Sequence, residues 1–217
     1  LLGLDVGGTF TDAVIIDAHR VVATAKRRTT KDNLMNGIGE ALDAVLEGYD
    51  TSNIEQVTLS TTVVTNTIVE AKEQVVDLYV VTGPGRNVDD IFPVEPIYLQ
   101  GYTDHRGIVV ERTPADAVRG IANMVQARSG TDLAAVSAKF GVRNPQEELS
   151  ITEELKNTYH TISNGSLLSG SLNFPRRTIS AYFNSAVTPV FTVFKKNVED
   201  ALSARNIFCL LYTSDAA

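Results

Sequence analysis

The residues whose chemistry is easiest to read stand at the start of the chain. Leu1–Asp12 read LLGLDVGGTFTD: an apolar run leads into Asp5, two glycines follow, and Thr9, Phe10 and Thr11 precede Asp12. A second apolar run, Ala13–Asp17, comes at once, so the glycines occupy the turn of a strand–turn–strand. Gly7 and Gly8 have no Cβ, which lets the backbone turn tightly and bring its N–H groups close to an anion. A cradle over Gly7, Gly8, Thr9, Phe10 and Thr11 would suit phosphate, with the threonine hydroxyls as extra donors. Asp5 and Asp12 are carboxylates, which suit a hydrated Mg²⁺ better than a bare phosphate. Asp5, at the strand end, could hold a metal-bound water beside a terminal phosphate, as phosphoryl transfer needs, or simply form a turn. Asp12 reads equally as a metal or substrate contact and as a cap of the returning strand. The segment fits neither GxxxxGK[ST] nor GxGxxG. A plain glycine β-hairpin is the alternative.

Further along, Thr61, Thr62, Thr65 and Asn66 stand where a short strand, Val57–Ser60, gives way to a helix. Free N–H groups and hydroxyls at a helix start attract anions. Local capping explains Thr61 as well, whereas Asn66 lies a turn inside and needs no capping role, which favours a ligand contact. Gly83–Gly85 follow an apolar strand, where α/β ligands bind, although a structural turn explains them more simply. Asp104, His105 and Arg106 read as an acid–base cluster or, better, as a polar hairpin turn closed by Gly107. Arg176 and Arg177 open a helix, where positive charge opposes the helix dipole unless an anion is present. His19 and His160 read as surface residues, and Cys209 has no base beside it.

These positions need a scaffold. Two strands flank the glycine turn and a third, Val21–Lys26, follows a turn at His19–Arg20, which predicts an antiparallel meander. Asp32 or Asn33 would cap a helix with Leu34, Ile38, Ala41, Leu42, Val45 and Leu46 on one face. Thr61–Lys72 reads as a helix, and Val75–Thr82 as a parallel strand buried on both faces. Asn87–Pro96 is loop-like, and Ile97–Gln100 and Ile108–Glu111 read as strands joined through Thr103–Gly107. Thr113–Pro114 and Asn144–Pro145 each predict a cap with proline in the first helical position, opening helices to about Arg128 and Thr158. Between these helices Leu133–Phe140 reads as a strand. A short strand near Thr161–Ile162 and a Ser/Gly-rich stretch to Asn173 come next. Pro175 opens the longest helix, to about Ala204. A meander followed by strands alternating with helices predicts an α/β fold with a mixed sheet flanked by helices.

The 217 residues carry a net charge of −7, which argues against a nucleic-acid or anionic-membrane surface. One cysteine rules out an internal disulfide and a cysteine-clustered zinc site. No apolar stretch approaches the roughly 20 residues of a membrane-spanning helix. A cytoplasmic protein is expected. The chain opens directly on its first strand and closes on LLYTSDAA, which resembles a translated sequencing-library adapter. The expectation is a fragment of a longer gene with a truncated or foreign tail over residues 207–217.

The hairpin chemistry looks like the first phosphate loop of the actin-like ATPase and sugar-kinase superfamily. Three segments then occur in order: GLDVGGTFTDAVIID, LSTTVVTNTIVEAKEQVVDLYVVTGPG and NFPRRTISAYFNSAV. Together they resemble the N-terminal domain of the hydantoinase/oxoprolinase family, with TTVVTN, ending at Asn66, making the likeness specific. The resemblance implies a ribonuclease-H-like, actin-like ATPase lobe over residues 1–174, with 175–206 a long helix leading toward a second lobe. It implies ATP and Mg²⁺ as cofactors, the metal reached from Asp5 through water. It implies Gly7–Thr11 on the phosphates, and Thr62, Thr65, Asn66 and Arg177 toward substrate or an anion. Members look like ATP-binding subunits that open cyclic amides such as hydantoins and 5-oxoproline, or carboxylate ketones, through acyl-phosphate or enol-phosphate activation. A small-molecule substrate, a separate second hydrolase subunit and an oligomeric full-length protein are implied as well. A small-molecule kinase of the superfamily and a non-catalytic nucleotide switch are the alternatives. The pattern departs at Leu59 and Ser60, where members often carry His-Gly, and at Pro175–Arg177, where many carry Glu-Arg.

Overall fold

The computed structural model describes residues 1–30, 34–85, 91–208 and 210–213. The proposed cap at Asp32 or Asn33, part of the Asn87–Pro96 loop, Cys209 and residues 214–217 lie outside them. The chain divides into two units, Leu1–Lys72 with Pro189–Ala217, and Glu73–Thr188.

The first unit opens with β1 (Leu2–Val6), β2 (Phe10–Asp17) and β3 (Arg20–Arg28), an antiparallel meander as expected. Ala18 and His19 turn the second hairpin with φ of 43° and 67°. Then come α1 (Leu34–Val45), β4 (Gln56–Thr61), which pairs parallel to β1, and α2 (Val63–Val69). Alternation decides the faces. Leu2, Leu4, Val6, Ala13, Ile15, Val57 and Leu59 point into a core where they meet Ile38, Ala41, Leu42 and Val45 of α1. The expected helix over Thr61–Lys72 is shorter at both ends. Thr61 stays in β4, and the chain leaves the helix at Ala71, whose φ is +51°.

The second unit contains β5 (Asp77–Val81), β6 (Ile97–Tyr98), the hairpin β7 (Tyr102–Thr103) and β8 (Val109–Glu111), α3 (Ala115–Ser129) and β9 (Leu133–Ala138). After these come α4 (Gln146–Leu155), β10 (Thr161–Asn164), a short α5 (Gly165–Leu168) that the Ser/Gly-rich composition hid, and α6 (Phe174–Ser203). Its sheet runs β10-β9-β5-β6, all parallel, with β5 and β9 buried along their whole length. One face packs on α3 and α4 through Val118, Ala122, Ile151 and Leu155, the other on Phe174, Ala181 and Tyr182 of α6. Two expectations shift here. Ile97–Tyr98 joins β5 rather than the Val109–Glu111 hairpin. Pro114 and Pro145 occupy the cap positions themselves, one residue before the expected register.

Helix α6 carries Pro189 in its interior, where the division between the two units also falls. Its last turns place Phe194, Val198 and Leu202 in the first unit's core. β11 (Leu210–Thr213) then pairs parallel to β4, giving the order β11-β4-β1-β2-β3. A meander at one edge and parallel strands at the other make this a ribonuclease-H-like, actin-like lobe.

Candidate functional site

The hairpin between β1 and β2 turns over Gly7, Gly8 and Thr9, while Phe10 and Thr11 already belong to β2. Gly7 donates its N–H to the Phe10 carbonyl at 3.0 Å, closing the turn. Thr29, just past β3, clamps it from behind. Its N–H donates to the Thr9 carbonyl at 2.9 Å and its hydroxyl to the Gly7 carbonyl at 2.8 Å. That hydroxyl also pairs with Thr11 Oγ1 at 3.1 Å. Two turn carbonyls are therefore held by the protein. Among the described residues, the N–H groups of Gly8 and Thr9 have no hydrogen-bond partner. The turn borders a cleft of about 450 Å³ lined also by Thr62, Asn66, Glu70 and Lys72. A backbone with its amides open to a cleft is an anion-binding arrangement.

The expectation for Thr11 needs correction. It is fully buried, with its hydroxyl bound to Thr29, so it braces the cradle and does not reach a ligand. Phe10 is on the strand, with Lys26 Nζ 4.9 Å above its ring. Thr29 and Lys72 were not anticipated, because nothing in their sequence surroundings marks them.

On the far side of the cleft, Thr62 donates its N–H to the Val6 carbonyl at 3.2 Å, and Thr61 accepts from Val63 N–H at 3.1 Å. The N–H groups of Thr62 and Val63 at the entry to α2 are thus held within the protein, and α2 has only seven residues. Asn66 Nδ2 donates to Thr62 Oγ1 at 3.2 Å and lies beside Gly8, where an added Cβ would come within 3.2 Å of it. Thr65 is exposed and does not line the cleft. Leu59, where members of the resembling family often carry His, is a core residue only 1% exposed.

Asp5 lies one strand residue before this turn and on the opposite face of the sheet from the core. It is in register with Ser60 on β4 and Asp12 on β2, and Asp12 with Lys26 on β3. The four side chains make a row that lines an open concavity of about 460 Å³. Lys26 donates to both oxygens of Asp12 at 3.0 Å. Asp5 is exposed and has no partner among the described residues. No group of three or more His, Cys, Asp or Glu that could hold a metal occurs among them. Mg²⁺ is commonly held by one or two carboxylates plus substrate phosphates, and the uncommitted carboxylate of Asp5 near this turn fits that donor set.

In the second unit, Arg177 departs from the expected anion contact. It is fully buried, donating from Nη1 to the Ser171 carbonyl at 2.7 Å and from Nη2 to the Ala138 carbonyl at 2.9 Å. Burial pulls its pKa below the ordinary value, opposed by the negative charge of Glu148. The two Nη groups thus brace backbone segments, while Nε is buried without a hydrogen-bond partner among the described residues. Asp104 accepts from the N–H groups of Arg106 and Ile108 and from Arg106 Nε, and Gly107 has a φ of +88°, so the segment is a hairpin turn. The backbone N–H of Ile108, with Arg106 adding to it, holds the Asp104 carboxyl below the usual range. Gly83 has a φ of +61° and lies against Tyr102, where a Cβ would come within 2.4 Å of the ring. That is a packing reason for glycine.

The family model for the hydantoinase/oxoprolinase N-terminal region matches residues 1–159. The chain belongs to the hydantoinase/oxoprolinase family. No curated protein sequence matches it. Two solved structures share its fold. One is a nucleotide-free acetone carboxylase from work on ATP-dependent acetone carboxylation, 17% identical, with a TM-score of 0.70 over 94% of this chain and 34% of that one. The other is an ATP-dependent caprolactamase from Pseudomonas jessenii, 16% identical, with a TM-score of 0.71 over 98% of this chain and 34% of that one. The hydantoinase/oxoprolinase chain described here thus spans about a third of the length of either structure. Among its described residues, no helix is long and apolar enough to cross a membrane.

Proposed function

We propose that the chain forms the phosphate-gripping lobe of an ATP-dependent enzyme that opens cyclic amides of the hydantoin or 5-oxoproline kind. The observation that carries this reading is the pair of uncommitted N–H groups, Gly8 and Thr9, on a turn whose carbonyls Thr29 ties back. Such a turn offers donors to an anion without reorganisation, which makes them effective in stabilising developing charge. Asp5 would hold Mg²⁺ through water, while Asp12 is steadied by Lys26. When bound, Mg²⁺ supplies neutralisation of phosphate charge. Thr62 and Asn66 close the other side of the cleft with a hydroxyl and an amide. The caprolactamase likeness agrees with a lactam-type substrate. A separate hydrolase subunit, an oligomeric parent and a cytoplasmic setting belong to the same proposal.

The test uses a full-length parent carrying this sequence. ADP release should depend on a cyclic amide, and Asp5→Ala should lower turnover at least tenfold, about 1.4 kcal/mol in the transition state. Its fold should not change, since Asp5 is exposed and unpartnered. Parental turnover in Asp5→Ala would remove Asp5 from the site, and ADP release indifferent to lactams would remove the substrate class.

A further inference from the structure

The cleft at the glycine turn contains a cation whose position is set by an unusual helix end. Helix α2 finishes in a Schellman arrangement, with Ala71 N–H donating to the Ile68 carbonyl at 3.1 Å and Lys72 N–H to the Thr67 carbonyl at 2.9 Å. The left-handed position is normally glycine, but here Ala71 takes it at φ +51°. A residue with a Cβ is disfavoured in that conformation. The reversal nonetheless sets Lys72 on the wall of the same cleft as Gly8 and Thr9. Lys72 Nζ meets Glu70 Oε2 at 2.6 Å, with the lysine side chain largely in solvent and the glutamate about half so. Exposed pairs of this kind contribute little to folding, so folding does not account for a lysine held there.

We propose that Lys72 is an anion-binding residue of this cleft, exchanging Glu70 for a phosphate chain held at the Gly8–Thr9 turn. This rests on the phosphate reading of the turn and adds to it a second, cationic wall. Glu70 serves as the resting counter-charge. An ammonium that leaves a carboxylate for a polyanion gains from the higher charge, and backbone N–H donors together with a lysine are a recurrent way of holding phosphate. The consequence is an ordered pair of effects. Removing Lys72 weakens polyanion binding, and neutralising Glu70 strengthens it, because its carboxylate otherwise competes for Lys72 and repels the ligand.

The test titrates the ¹⁵N-labelled chain with sodium tripolyphosphate and follows the amide resonances of Gly8 and Thr9. Both resonances should shift and saturate. Lys72→Met should weaken the fitted affinity about tenfold, Lys72→Arg should stay within about threefold of the parent, and Glu70→Gln should tighten binding about threefold. The Lys72→Met loss should shrink as salt rises, since it is electrostatic. If Gly8 and Thr9 shift with unchanged affinity in Lys72→Met, the role of Lys72 is overturned while the turn keeps its phosphate reading. If neither amide moves in the parent chain, the phosphate reading itself fails, and the role of Lys72 with it.

Discussion

Arg177→Met removes a guanidinium that is fully enclosed and donates to two main-chain carbonyls, Ser171 at 2.7 Å and Ala138 at 2.9 Å. Methionine keeps much of the aliphatic packing, so the loss is chiefly polar. Hydrogen bonds from a charged donor contribute about 1.5–3 kcal/mol each. The same substitution strips a positive neighbour from Glu148, itself fully buried with its oxygens accepting from Ala138 and Ser166 N–H. A buried carboxylate left without its positive neighbour adds to the penalty, so the total comes to at least about 3 kcal/mol. Native-state hydrogen exchange suits this chain, because two units do not guarantee a single unfolding transition. Protection should fall by that amount at β5 and β9, and much less at β1 and β4. Arg177→Lys should fall between, since an ammonium cannot reproduce the fork geometry. An Arg177→Met chain with second-unit protection within about 1 kcal/mol of the parent, but with weakened binding of an anionic ligand, would refute the structural role and restore the ligand contact.

Thr29→Val should lower stability by about 1–2 kcal/mol, by freeing the Gly7 carbonyl and the buried Thr11 hydroxyl, and calorimetry should show a lower Tm; an unchanged Tm would mean that Thr29 is not a clamp. Asp104 has its folded pKa depressed, so its stabilising contribution is fully present above the ordinary carboxylate value of about 4. That contribution is lost as pH falls through the lower folded value; Asp104→Asn should flatten this part of the acid limb in a stability–pH profile. The 217-residue chain by itself should release no ADP from ATP with Mg²⁺ under conditions where a full-length parent does. In-line phosphoryl transfer needs groups positioned on both sides of the nucleotide, and parent-like turnover by the chain would show a complete site within it.

The meander, the buried face of α1 and the doubly buried β5 were all legible, because each rests on local periodicity: Leu2, Leu4 and Val6 alternate, and Ile38, Ala41, Leu42 and Val45 recur at helical spacing. The turn between β1 and β2 was legible because a glycine pair between two apolar runs marks a hairpin. What failed to show depends on distant partners. Arg177 reads as an anion ligand until the carbonyl of Ala138, 39 residues earlier, is placed beside it. Thr11 looks like a ligand hydroxyl until Thr29 is seen to bind it. Lys72 looks like an ordinary helix residue, because only the left-handed turn at Ala71 ends α2 early and redirects the chain. Ile97–Tyr98 was assigned the wrong partner for the same reason, since hairpin spacing cannot reveal pairing with a parallel strand.

The central claim is that the Gly7–Thr9 turn grips the phosphates of a nucleotide. A crystal structure of a full-length parent with Mg²⁺ and a non-hydrolysable ATP analogue tests it most directly. Phosphate oxygens should lie within about 3.2 Å of the Gly8 and Thr9 amide nitrogens, with the Asp5 carboxylate reaching the metal through water. Nucleotide phosphates bound elsewhere, with those two amides facing solvent, would contradict the account.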